Sequence, residues 1–136
     1  MRREAFKVVS CFVTCKGKVL ILKRSQKVRT YGGRWAAVSG YLEKGEDPLD
    51  RAFRELSEEV GLLREDVELV RKGEPISVAD SESNLNWIVY PFLFNSKTNE
   101  VRIDWEHDEY KWINPEDLRN YETVPMLKEA LLSILK

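Results

Sequence analysis

The chain has 136 residues, 43% hydrophobic and 33% charged, with 22 basic against 23 acidic side chains and a net charge of −1. That length suits a single domain, read as 1–136, and is too short for two ordinary ones. The even charge balance excludes a general nucleic-acid binder, which needs a basic excess, and no apolar run approaches the ~20 residues that span a bilayer.

The first residues, MRREAFKVVSCFV, are too mixed for a signal peptide, because Lys7 and Ser10 interrupt a very short apolar stretch. FKVVSCFVTCKGKVLILKRS predicts a β-hairpin turning at Lys16-Gly17-Lys18. Cys11 and Cys15 would stand about 13 Å apart along the first strand, too far for a disulfide. They read as reduced core residues of a cytoplasmic protein. QKVRTYGGRWAAV is a basic, glycine-containing loop running into a short strand at 35–38. Asp47 suits a helix N-cap, Pro48 the first helical position and Gly61 the stop, so a helix is predicted over about 48–60. Short strands are expected at 67–71 and 75–79, with a stronger one at 86–94 whose Pro91 predicts an edge or a bulge. Further strands are expected at 101–103 and 110–113, then a helical turn from Asn114-Pro115 to Leu118. Met126, Leu127, Ala130, Leu131, Ile134 and Leu135 recur at helical spacing and predict a C-terminal helix over about 124–135. The mixed order of strands and helices gives an α/β (α+β) fold.

The helix at 48–60 is unusual in its acids. At 100° per residue, Leu49, Ala52, Phe53, Leu56 and Val60 fill one apolar arc. Glu55 and Glu59 flank it one turn apart, and Glu58 lies beside both. Arg51–Glu55 and Arg54–Glu58 pairs at i,i+4 would make this an ordinary solvated face. Glu55 and Glu59, however, are like charges at i,i+4 beside a buried stripe, a conflict that a hard divalent cation with oxygen ligands would remove.

The spacing extends well beyond the three acids. Gly40, five residues, Glu46, seven residues, then RELSEEVGL matches G-x5-E-x7-R-E-U-x-E-E-x-G-U without a mismatch, U being a bulky aliphatic. On these residues the chain resembles the Nudix hydrolases. The preceding hairpin, the GGRW approach and Trp112-x2-Pro115-x2-Leu118 extend the resemblance over most of its length.

The resemblance implies an α/β/α sandwich with a mixed sheet, whose loop–helix–loop binds divalent cations and cleaves nucleoside diphosphates linked to another group. Glu55, Glu58 and Glu59 would ligate Mg²⁺ or Mn²⁺, with the carbonyl of Ser39. Arg54 would orient a helix glutamate, and Glu46 would support the loop. Gly40 and Gly61 would meet backbone requirements. Ser39-Gly40-Tyr41 departs from the commoner Pro-Gly-Gly, which weakens analogy to nucleotide-sanitising members. In this family the general base comes from the box or from a later loop. WEHDEYKW offers Glu106 first and Glu109 second, with Glu106 also a candidate metal ligand, while the single histidine, His107, reads more simply as structural. Arg24, Arg34 and Tyr31 are candidate substrate contacts. Trp35 and Trp87 are possible ring platforms, Trp35 the better core residue.

The implied partner is a small nucleotide: a nucleoside triphosphate, a dinucleoside polyphosphate or a nucleotide sugar. A homodimer is compatible with the family. Two other readings compete. One is a non-catalytic nucleotide-binding regulatory module, which the intact box disfavours. The other is an isoprenoid diphosphate isomerase, which needs a cysteine outside the first strand.

Overall fold

The computed structural model describes residues 5–81 and 84–135. β1 (Ala5–Cys15) and β2 (Lys18–Arg24) form the expected hairpin, paired at Thr14–Val19 and Cys15–Lys18. Gly17 turns it with φ 81°. β3 (Trp35–Ala36) and β4 (Val38–Tyr41) divide the single strand expected there, and α1 (Pro48–Val60) follows. β5 (Val67–Lys72), β6 (Ile76–Asp80), β7 (Leu85–Ser96) and β8 (His107–Ile113) complete the sheet, before a 3₁₀ segment at Pro115–Asn120 and α2 (Leu127–Leu135). Residues 1–4, which begin the stretch read above against a signal peptide, lie outside the described residues. Among the described residues no helix is long and apolar enough to cross a membrane.

The sheet runs β3-β2-β1-β7-β5, with β4 on β1, β6 on β7 and β8 on β2. Its centre is the parallel pairing of β1 with β7, from Ala5–Asn86 to Thr14–Asn95, and its other pairings are antiparallel. Side chains alternate across this pair. Val9, Cys11, Phe92 and Phe94 pack toward Ala52, Leu56 and Val60 of α1. Phe12 and Leu93 pack toward Leu127, Leu131 and Ile134 of α2. The result is a sheet between two helical layers, the α/β/α arrangement expected. Truncating Leu56, which is fully buried, would cost about 2–5 kcal/mol. Both cysteines are free and buried, and burial, reinforced by the charges of Glu59 and Glu55, keeps the Cys11 thiol protonated.

α1 forms where its local signals place it. Asp47 Oδ2 accepts from the Asp50 amide at 3.1 Å. At the other end Gly61 is left-handed, its N–H donating to Ser57 O (3.2 Å), while Leu62 N–H donates to Leu56 O (3.0 Å).

Three expectations need correcting. Pro91 lies in a central strand, not at an edge. β6 pairs with β7 through Val89 and β5 resumes at Phe92, so proline's missing N–H falls in the gap between the two partners. Residues 101–103 form no strand; Arg102 N–H donates to Val60 O, while Val101 and Ile103 lean on the α1 core. α2 begins at Leu127, not 124, because Pro125 precedes a left-handed Met126 (φ 68°) that cannot belong to the helix.

Candidate active site

Two loops meet at one end of the sheet. β4 carries Ser39 and Gly40 into the cleft, and Gly40 lies directly against α1. A Cβ on Gly40 would fall on the Glu55 carboxylate, so the first box glycine is a space requirement. The other loop precedes β8. The β2–β8 register slips between Lys23 and Arg24, so that Arg24 pairs with His107 instead of Asp108. This bulge, with Ser25 N–H donating to Glu106 O at 2.8 Å, turns Glu106 and His107 inward. Ser39, Gly40, Glu55, Glu58, Glu59, Glu106, His107, Arg24 and Tyr31 all line one cleft of about 510 Å³.

The electrostatics are dominated by buried acids. Glu59 is pushed well above the ordinary carboxylate range, first by burial, then by a hydrogen bond shared with Glu55 and the nearby charges of Glu55, Glu106 and Asp104. Glu106 is raised too, by partial burial and by Asp104, with Arg24 opposing. Burial lowers His107, against the pull of Asp104; its Nδ1 is 3.3 Å from Asp104 Oδ1 and its Nε2 3.6 Å from Glu59 Oε1. The acids therefore tend to hold protons while the imidazole tends to be neutral.

The two arginines of α1 part company. Arg54 is exposed, outside the cleft, and donates to Glu58 Oε1 at 3.0 Å. Arg51 is buried and donates to Glu46 Oε1 at 2.8 Å and to Glu55 Oε2 at 3.0 Å, with Glu43 at 3.5 Å. Its hydrogen bond to Glu46 holds that carboxyl below its usual range and keeps Arg51 firmly protonated. Sequence reasoning read Arg51 as a surface partner. Both arginines stand well away from the apolar arc, and Arg51 becomes buried because the 41–46 loop folds over its flank.

Other candidates separate as clearly. Glu109 lies on β8 beside Lys111, 3.8 Å away, and does not line the cleft. Arg34 also stays out of the lining; it is 3.7 Å from Glu122, with its guanidinium 5.6 Å from the Tyr31 ring centre. Arg24 enters, its guanidinium donating to Thr30 O and Oγ1. Trp35 is buried in the α2-side core. Trp87 lines the cleft.

Among the described residues no three His, Cys, Asp or Glu side chains converge closely enough to cage an ion. Glu55 and Glu58 are drawn off by their arginines. The donor chemistry nevertheless fits a hard divalent cation. Carboxylates and the Ser39 carbonyl share one cleft, and two of the carboxylates are buried against each other, a contact that positive charge would relieve.

Comparison with known proteins identifies the family. The NUDIX domain model matches residues 2–132. A nucleoside triphosphatase NudI of Escherichia coli (strain E24377A) is 29% identical over 122 residues, covering 85% of this chain and 86% of that protein. The Klebsiella pneumoniae NudI is 30% identical over 128 residues with the same coverage. Among solved structures, a MutT protein from Methanosarcina mazei superposes with TM-score 0.83 at 22% identity over 97% of this chain and 94% of its own. A C. elegans Ap4A hydrolase complex gives 0.79 at 20% identity, covering 95% and 94%. With the box intact, the sheet sandwiched as expected and the family model spanning nearly the whole chain, the protein belongs to the NUDIX domain family and is a Nudix hydrolase acting on phosphoanhydride bonds.

Proposed function

We propose that the protein is a divalent-metal-dependent pyrophosphohydrolase of a nucleotide derivative, with nucleoside triphosphates the first class to test. The carrying observation is the buried Glu55–Glu59 contact in a cleft that also holds Glu58, Glu106 and Arg24. In this reading Glu55, Glu58, Glu59 and the Ser39 carbonyl hold Mg²⁺ or Mn²⁺, with Glu106 on the facing loop. Bound there, the cation supplies Lewis acidity that neutralises diphosphate oxygens and acidifies water.

The remaining work falls to the chain itself. Arg24 faces the cleft with a cation suited to a phosphate. Arg51 keeps Glu55 in place from behind, while Arg54 holds Glu58 from the solvent side. Glu106 is favoured over Glu109 as general base because it lines the cleft, and burial and Asp104 make its carboxylate a stronger base than usual. The NudI relatives support the choice of triphosphates, and the Ap4A hydrolase likeness puts dinucleoside polyphosphates in the same panel.

The test is product analysis on nucleoside triphosphates, dinucleoside polyphosphates and nucleotide sugars with Mg²⁺ and Mn²⁺. Glu58→Gln and Glu59→Gln are expected to lower kcat by about 10²–10⁴. Undiminished turnover by either variant, or equal turnover in the presence of a chelator, would remove the assignment.

A further inference from the structure

Asp104-Trp105-Glu106-His107 joins an irregular segment to β8, and its first residue decides its shape. Aspartate is favoured at the first position of a β-turn because its side chain can accept from the backbone two residues on. Here both bonds form. His107 N–H donates to Asp104 O at 3.1 Å and closes the turn, while Glu106 N–H donates to Asp104 Oδ1 at 3.1 Å. Ser25 N–H, just past the end of β2, donates to Glu106 O at 2.8 Å. Both polar groups of the Glu106 backbone are therefore committed, one to Asp104 and one to Ser25. Its side chain enters the cleft, while Trp105, one residue earlier, stands in solvent at 68% exposure.

The same Asp104 oxygen takes a third contact. His107 Nδ1 lies 3.3 Å from Oδ1, and Nε2, on the far edge of the ring, lies 3.6 Å from Glu59 Oε1. At that length the second contact is packing and not a hydrogen bond. The imidazole is 4% exposed and Glu59 8%, so the ring fills the space between the turn and the box helix. Any residue at 107 could pair with Arg24 through its backbone, but a ring-sized side chain is needed to reach from Asp104 to Glu59.

We propose that Asp104 and His107 are positioning residues for the reaction: Asp104 fixes the turn that aims Glu106 into the cleft, and His107 sets the distance of that turn from Glu59. This rests on the reading of Glu106 as the general base. Asp104 does not line the cleft, so its influence on the reaction runs through Glu106 and His107. A base must stand within about 2.6–3.2 Å of the water whose proton it takes, and a misplacement of about 1 Å is felt in the rate. Glutamate is a long side chain with several rotatable bonds. Fixing the peptide on either side of it removes the freedom that a loose turn would add.

The test compares variants shown to be folded by their unfolding midpoints. Asp104→Ala is expected to lower kcat about 10- to 100-fold with KM little changed. Asp104→Asn, whose amide oxygen can accept the same N–H, is expected to restore most of the loss. His107→Ala should lower kcat in the same way, and His107→Phe, which keeps a ring, should restore most of it. Because Asp104 acts through Glu106, Asp104→Ala made in the Glu106→Gln protein should add little further loss. Independent, multiplying losses overturn the proposal, as does a KM that rises in step with the fall in kcat, or undiminished turnover by Glu106→Gln. His107→Phe as impaired as His107→Ala overturns the spacer role. A second readout needs neither turnover nor metal: amide hydrogen exchange at Glu106 should quicken about 10-fold in Asp104→Ala and not in Asp104→Asn. Equal exchange in all three proteins overturns the turn as its cause. If the unaltered protein cleaves no phosphoanhydride, the catalytic reading fails by itself, and the exchange series still judges the turn.

Discussion

α1 carries the same ion pair twice, once on each side. Arg51–Glu55 and Arg54–Glu58 share i,i+4 spacing and a 3.0 Å contact, but the first pair is 7% and 12% exposed and the second 55% on both members. Identical local chemistry therefore has two meanings. On the solvent side the pair is screened and exchanges readily with water. On the cleft side Arg51 is the cation that ties two acids of the folded loop, Glu46 and the exposed Glu43, to Glu55 of the helix. The second pair stays at the surface, whereas the first is packed into the wall of the cleft.

Arg51→Met sets the largest contrast. It leaves Glu46 and Glu55 without their partner and is expected to cost about 3–5 kcal/mol, read by chemical denaturation. An unchanged midpoint would mean that the buried pair is no anchor. Gly40→Ala comes next, because its methyl group competes for the space of the Glu55 carboxylate. Loss of activity with a smaller loss of stability is expected, and full activity would show that Glu55 need not pack there.

Protonation gives a moderate effect. Glu59 binds its proton more tightly folded than unfolded, so its contribution to stability is fully present below the ordinary value of 4.5 and fades as pH rises through its raised folded value. His107 works in the opposite direction, but its contribution is complete above the ordinary imidazole value of 6.5. With chelator present, Glu59 should make the melting temperature fall as pH rises from 4.5 through its raised folded value, with His107 opposing that fall up to about 6.5. Glu59→Gln should flatten that trend, as should Mg²⁺. A melting temperature independent of pH in chelator would contradict the buried-acid description. The smallest effect belongs to Arg54→Ala, which should leave the unfolding midpoint unchanged and lower kcat modestly through Glu58. A stability loss matching that of Arg51→Met would erase the distinction between the two sides.

What the sequence disclosed follows from how local each signal is. Asp47, Pro48 and Gly61 end α1 by bonds within a few residues, so both ends were legible. Glu55, Glu58, Glu59 and Gly40 were legible through fixed spacing. Arg51 was not, because its burial depends on a loop folding back, and helical angle alone ranks it with Arg54. Residues 101–103 alternate like a strand but spend their apolar side chains on α1 and one backbone amide on its last carbonyl. The apolar lining of the cleft was least legible, since β1, β6, β7 and the 124–130 segment all contribute to it.

The parallel β1–β7 pairing also bears on how the molecule comes into being. Its partners, Ala5 with Asn86 through Thr14 with Asn95, are 81 residues apart in sequence, and everything from the hairpin to β6 lies within that closure. Local elements such as α1 can form early, but a sheet of such high contact order assembles slowly. The box glutamates meet Glu106 and His107 only once β8 has paired with β2, a closure longer still, as Val19 with Ile113 shows. Catalytic competence should therefore be the last property regained on refolding, lagging the helical signal.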